Sequence, residues 1–394
     1  MRAIKTGAFT LEGLNSFAVT FYFYYFYFFM EKQFDFGNKA NLTLAALGGL
    51  VCIPAAFYGG RFAQRAGYFT ALKSGFGIMV MALTVGWLIA ESPAAHIAVM
   101  LVSNIGMCLT WPTLEALVSE GETYDGLKRN IGIYNTVWAG TNALAYFVGG
   151  AMLDKLSFKC LFVVPITLLV VQLALTFRLQ QRTKFPASIE GKLKPTAPVR
   201  SAHPHPAVKT RTFMRMAWLA NPFAYIAINT LVAVMPGVAN RLQLSTTLAG
   251  FCCSVWCFAR LGAFLGLWFW DDWHYKFRWL LAAYLALIAS FMLVLTVPNL
   301  IVVLAAQLAF GGAIGLIYYS SLFYSMDVGD TKGEHGGIHE AAIGLGNFAG
   351  PAVGALSLQF SPVHVHGGAG AVSVALVFGL FALLTIQWRS RRRN

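Results

Sequence analysis

The chain has 394 residues, 57% of them hydrophobic and 11% charged, with a formal net charge of +13. A soluble domain carries about 25% charged residues, so these proportions exclude an ordinary soluble enzyme or binding module and indicate an all-α integral membrane protein. The positive excess lies in loops and at the C-terminus, where membrane proteins gather cytoplasmic Lys and Arg, so it reads as topology and no nucleic-acid partner is expected.

Apolar runs of about 20 residues recur along the whole length, each long enough to cross about 30 Å of hydrocarbon as a helix. The short alternating segments of a β-barrel are not visible. Twelve crossings are predicted near 8–30, 39–60, 70–90, 95–118, 130–152, 160–178, 213–236, 245–270, 279–297, 299–326, 338–360 and 369–388. Between the sixth and seventh lies a hydrophilic bridge, 179–212, with seven Lys or Arg, one acid (Glu190) and five prolines. Such a segment buries too little apolar surface to offset its ordering entropy and is expected to be a mobile linker. The domains are therefore 1–178, an N-terminal six-helix bundle, 179–212, the linker, and 213–394, a C-terminal six-helix bundle. With the N-terminus inside, 23 Lys and Arg fall in inside segments, 5 in outside loops and one, Arg260, within a crossing. This asymmetry puts both termini and the linker in the cytoplasm of a multi-pass protein of the cell (inner) membrane. No cleavable signal peptide is expected, because the first apolar run is a full span.

The halves repeat faintly. Gly132-Ile133, Asn142 and Gly149 in span 5 return 205 positions later as Gly337-Ile338, Asn347 and Gly354 in span 11. Ile105-Gly106 in span 4 returns as Ile314-Gly315 in span 10. Repeated halves, pseudo-symmetric and enclosing a midplane site, are the build of many secondary carriers.

The loop after span 2 reads Gly60-Arg61-Phe62-Ala63-Gln64-Arg65-Ala66-Gly67. With six-plus-six crossings and a basic bridge, it resembles the major facilitator superfamily (MFS). Gly60, Arg65 and Gly67 match that family's signature between spans 2 and 3, which implies a gating role, while Gln64 stands where the family usually has Asp. Span 4 lacks the arginine that many of its proton antiporters carry. Gly346, Gly350-Pro351 and Gly354 resemble the antiporters' Gly-Pro-rich motif, displaced from span 5 to span 11. The stretch Tyr318–Ser321, Tyr324–Asp327 and Gly336–Glu340 is similar to uncharacterised prokaryotic members. The resemblance implies the MFS fold, with spans 1 and 4 lining a central cavity.

A charge in hydrocarbon costs about 3 kcal/mol or more, so each intramembrane charge is a functional candidate. Glu12 in span 1 and Glu115 in span 4 lie at matched depth, about 10 Å to the cytoplasmic side of the midplane at 1.5 Å per residue. Together they are candidates for proton coupling; alternatively each caps a helix end or rests in interfacial water. Arg260 lies close to the centre of span 8. Its fork suits a carboxylate or phosphate, which makes it a substrate-binding candidate. The alternative is an ion pair with Glu12 or Glu115 that acts as a gate.

Polar residues fall in stripes. Asn104, Cys108, Trp111 and Glu115 share one face of span 4, and Asn135, Trp138, Asn142 and Tyr146 one face of span 5. Asn221, Tyr225 and Asn229 do so in span 7, and in span 10 Tyr318, Ser321 and Ser325 form a fourth stripe with Ser320, Tyr324 and Asp327 as a fifth beside it. Asn15 in span 1 and Asn347 in span 11 add to these. Such stripes line a watered cavity or bond neighbouring helices; five together favour a cavity. The aromatic run Phe17–Met30 reads mainly as lipid-facing and packing surface, with an aromatic wall for an amphipathic solute as the alternative.

His335 and His339, flanked by Glu334 and Glu340, have metal-like spacing, but their glycine-rich setting favours a helix start, so no metal or other cofactor is expected. Neither GxxxxGK[ST], GxSxG nor HExxH occurs, which supports neither ATP-driven transport nor hydrolysis. The expected function is secondary transport by alternating access of a small anionic or amphipathic solute, coupled to protons. A monomer in the lipid bilayer is expected. A lipid or multidrug exporter, or a non-transporting sensor on the same fold, are the alternatives.

Overall fold

The computed structural model describes residues 2–89, 91–122, 124–183, 207–270, 272–328, 332–360 and 367–392. Most of the linker expected at 179–212 thus lies outside the described residues. What is described of it is helical: α6 runs on to Thr183 and α7 starts at Ala207.

Backbone amides in hydrocarbon must be satisfied within their own segment, so apolar runs fold as helices. The first half contains α1 (Arg2–Phe34), α2 (Asn38–Ala66), α3 (Tyr68–Leu88), α4 (Pro93–Ser119), α5 (Tyr124–Leu156) and α6 (Cys160–Thr183). The second contains α7 (Ala207–Arg241), α8 (Thr246–Cys253), α9 (Val255–Phe269), α10 (Phe277–Thr296), α11 (Leu300–Val328), α12 (Lys332–Phe360) and α13 (Gly367–Arg391). Helices α8 and α9 are two pieces of the eighth crossing, broken at Ser254, so the crossings among the described residues number twelve. No strand occurs among the described residues.

Local chemistry sets the ends. Ser92 accepts the Ala95 N–H at 3.3 Å ahead of Pro93, and Ser245 accepts that of Leu248 at 3.2 Å; side-chain oxygens at these positions satisfy amides the helix cannot. Gly67, at φ 91°, turns the chain between α2 and α3, a conformation glycine adopts without a Cβ clash.

Ten crossings pass a plain test of length and mean hydropathy, and α1 and α5 do not. These two carry several tyrosines and asparagines, and they pack on each other. The halves meet along two seams, α2 on α12 and α5 on α8 and α9. Glycine allows backbone to touch backbone there. A Cβ on Gly49 would lie 2.2 Å from the Phe348 nitrogen, and one on Gly150 would lie 2.1 Å from the Thr246 carbonyl oxygen. The seams are packed at both ends. On the face that carries the termini, Gly337 lies against Ala56 and Gly60. On the opposite face Lys39 bonds Gln359, Lys32 bonds Thr246, and Asn240 donates to Glu31.

The aromatic run of α1 turns inward more than its composition suggests. Phe21, Tyr22, Tyr25, Phe26 and Met30 are all buried, covered by helices of the same half and, at Tyr25, by Gly250 of the other.

Candidate functional site

Between the halves lies an internal cavity of about 110 Å³. Its wall takes Thr20, Phe23 and Tyr24 from α1, Asn104 and Trp111 from α4, and Tyr134, Trp138 and Asn142 from α5. The second half contributes Tyr225 and Asn229 from α7, Arg260 from α9, Tyr318 from α11, and Glu340 and Asn347 from α12.

Arg260 is 1% exposed. Its guanidinium carbon stands 4.2 Å from the Trp138 ring centre and 4.9 Å from that of Trp256, so two indoles lie against it. Nη2 donates to Asn142 Oδ1 at 2.5 Å, and Asn142 in turn donates to Thr20 Oγ1. Nε has no hydrogen-bond partner. Among the described residues no carboxylate lies within salt-bridge distance of Arg260, so neither ion pair considered from the sequence forms in this conformation. Indole faces attract a cation, but they do not neutralise it. What remains is a buried, uncompensated positive charge on the wall of a polar cavity.

On the terminal side of the cavity lies a group of acids. Glu115 accepts a hydrogen bond from the Tyr318 hydroxyl at 3.4 Å, and its second oxygen has no partner. Glu115, His339 and Glu340 each offer a donor atom within 4.8 Å of the other two. His339 is 1% exposed, with Nδ1 3.3 Å from Ser321 Oγ and Nε2 unpartnered. Glu12, fully buried, accepts from Ser16 at 2.6 Å beside Tyr134 and Trp111. This donor set can share protons or hold a divalent ion. One contiguous path joins it to Arg260: Trp138 lies under the guanidinium and stacks on Tyr318 at 4.7 Å and 20°, and the Tyr318 hydroxyl reaches Glu115.

The sequence candidates are distributed as follows. Arg260, Asn104, Trp111, Trp138, Asn142, Asn229, Tyr318 and Asn347 line the cavity, and Asn229 donates to Asn347 across α7 and α12. Glu12 and Glu115 stand behind its wall. Asn15, Ser321 and Tyr324 are elsewhere. Asn15 donates to Thr110 at 3.2 Å, Ser321 faces His339, and the Tyr324 hydroxyl accepts the Tyr275 N–H at 3.0 Å. Stripes that continue past the cavity's end become helix-to-helix bonds. In the loop motif, Gly60 is buried against Gly337, Gly67 makes the turn and Arg65 is exposed. Gln64 donates to the Tyr68 hydroxyl, which donates to Glu120 at the end of α4, each at 3.1 Å. A neutral relay thus occupies the place of the family's usual acid.

Glu340, expected beside a helix start in the first turn of the crossing 338–360, lies two turns inside α12 on the cavity wall. The reason is a helix that begins before 338, which draws His339 and Glu340 into the seam beside Pro112 of α4. The side chains of Asp327, Glu334 and His335 lie outside the described residues.

Beyond the expected crossing 130–152, Asp154 accepts both the N–H and the hydroxyl of Thr247, at 2.9 and 2.7 Å. Partial burial pushes its carboxyl up, but the Thr247 bonds outweigh this and hold it below the usual range. It ties α5 to the start of α8 on the face opposite the termini.

Twelve crossings among the described residues, two seams and a cavity between the halves lined by Arg260 and several asparagines define a membrane transporter fold rather than an enzyme. The chain belongs to the Major Facilitator Superfamily, whose family profile matches residues 125–351, more than half of its length. Among solved structures it is similar to the human organic anion transporter MFSD10 (TETRAN), at 14% identity and a TM-score of 0.71 over 97% of this chain and 99% of that one. It is also similar to the nucleoside transporter NupG, at 13% identity, with a TM-score of 0.70 for a mutant form covering 97% of this chain and 99% of that one. No curated protein matches by sequence.

Proposed function

We propose that the chain is a secondary transporter that carries a small organic anion by alternating access and is driven by protons. The observation that carries this reading is Arg260: a permanent cation, buried at the cavity wall, without a carboxylate partner and with an unused N–H. A solute that brings the missing negative charge removes the penalty of leaving that charge unpaired. Glu115, Glu340 and Glu12 supply the driving step. Several uncompensated negative charges in one water-poor place are costly, and a carboxyl sheds that cost by taking a proton. The stack Trp138–Tyr318 lets solute at Arg260 and protonation at Glu115 bias the same elements. The seams part at one face at a time, so the site meets each side of the membrane in turn. In this reading the termini and the linker face the cytoplasm, the protein works as a monomer in the cell membrane, and the loop motif at Gly60, Arg65 and Gly67 guards the terminal face. The small cavity and its charge support a compact anion over the bulky amphiphile of a lipid or drug exporter.

The test is uptake of small carboxylates into proteoliposomes under an imposed proton gradient. Uptake should follow the gradient in the wild type. Glu115→Gln and Glu340→Gln should keep solute exchange yet lose the gradient's drive. Full gradient-driven uptake in both variants would remove the coupling mechanism.

A further inference from the structure

We infer that the solute is a single-ring aromatic monocarboxylate whose carboxylate pairs with Arg260. This rests on the anion reading above and narrows it.

Three observations converge. The first is approach. The ring centres of Trp138 and Trp256 lie 4.2 and 4.9 Å from the guanidinium carbon, Nη2 gives one N–H to Asn142 and Nε is enclosed without a partner. An anion therefore meets Arg260 at the terminal N–H groups left on the cavity side, and a carboxylate makes charge-assisted hydrogen bonds there. The second is charge. Arg260 is the one cation among the lining residues, and Glu340 is an acid on the same wall. One negative charge on the solute balances the guanidinium. A second, as on a dicarboxylate or a phosphate monoester, would be buried without a counter-ion beside Glu340, at the cost of an unpaired buried charge. A neutral solute would leave Arg260 uncompensated.

The third is size and surface. A cavity of about 110 Å³ compares with the engineered apolar cavity of about 150 Å³ that accepts benzene. That is room for one ring with modest adjustment and too little for a nucleoside. Tyr24, Trp111, Tyr134 and Tyr225 present rings to this space, and rings stack on rings or meet them edge-on with about 0.5–1.5 kcal/mol beyond burial. Asn229 and Asn347 bond each other by one amide group each, which leaves an amide oxygen and an amide nitrogen for a polar substituent on the ring.

Calorimetric titration of the purified full-length protein with four matched probes tests this: 4-hydroxybenzoate, 4-hydroxybenzamide, terephthalate and 4-hydroxycyclohexanecarboxylate. Saturable binding of 4-hydroxybenzoate is expected, with each of the other three at least about tenfold weaker, the scale of one unsatisfied buried group or charge. Arg260→Gln should lose 4-hydroxybenzoate binding, and Asn135→Ala, behind the wall, should keep it and show that the fold tolerates substitution. Equal or tighter binding of terephthalate or of the saturated ring would overturn the inference while leaving the anion reading intact. Equal binding of the benzamide, or undiminished binding in Arg260→Gln, would overturn both.

Discussion

Arg260 was legible from the sequence because its chemistry is rare: a side chain that stays charged does not sit near the centre of an apolar run without a purpose. Its surroundings were not legible. That Trp138 and Trp256 would both lie against it, and that Asn142 would hold one nitrogen, depends on how α5 crosses α9. Because the planar guanidinium lies beside two indole rings and hydrogen-bonds through its fork, Arg260→Lys is not conservative. We expect it to weaken anion binding at least about tenfold, as read by titration, despite the retained charge. Trp138→Leu should have a different signature. It removes both the lid on the guanidinium and the stack on Tyr318. Proton and solute should then uncouple, with solute exchange surviving better than gradient-driven uptake. Equal loss of both would argue against the Trp138–Tyr318 path.

At the scale of helices, ten crossings could be read from hydropathy, while α1 and α5 fall short of it and show only as long aromatic and apolar runs; two kinds of residue were misjudged. The aromatic run of α1 looked fit for lipid, and its composition is; only the neighbours decide, and α5 and α6 cover it. Glu340 looked like a cap because the start of its helix was placed six residues too late, and such a shift separates interface from interior. The seams make their own predictions. Gly49→Ala puts a methyl where the Phe348 nitrogen lies 2.2 Å away, so the sealed conformation cannot form. Transport should fail while the protein still inserts in the membrane and melts cooperatively. On the face opposite the termini, Asp154 holds the start of α8 with its carboxyl below the usual range. A carboxylate lowered on folding stabilises above its unfolded value of about 3.9 and loses that contribution as pH falls through its folded value. Spin labels at the exposed Leu156 and Leu248, beside that tie, should therefore report a closed seam at neutral pH that loosens below about pH 4. Asp154→Asn should show the looser distance already at pH 7.

For the whole molecule, the architecture followed from two simple inventories, the apolar runs and the Lys and Arg between them. The six-plus-six division also showed in a weak repeat, Gly132 and Asn142 against Gly337 and Asn347. The structure gives those repeats a role: Gly132 meets Trp268 on one seam, Gly337 meets Ala56 on the other, and Asn142 and Asn347 both reach the cavity. Cavity depth, seam closure and the absence of an ion pair on Arg260 arise from pairing between distant segments, which no local pattern encodes. In this conformation contacts between the halves are made on both faces, at Gly337 with Gly60 and at Lys39 with Gln359. The claim beneath all of this is that a negatively charged solute completes the buried charge of Arg260 and is moved by doing so. Counterflow of labelled 4-hydroxybenzoate into preloaded proteoliposomes tests it most directly. The account predicts saturable counterflow in the wild type and none above protein-free vesicles in Arg260→Gln; equal counterflow in the two would contradict it.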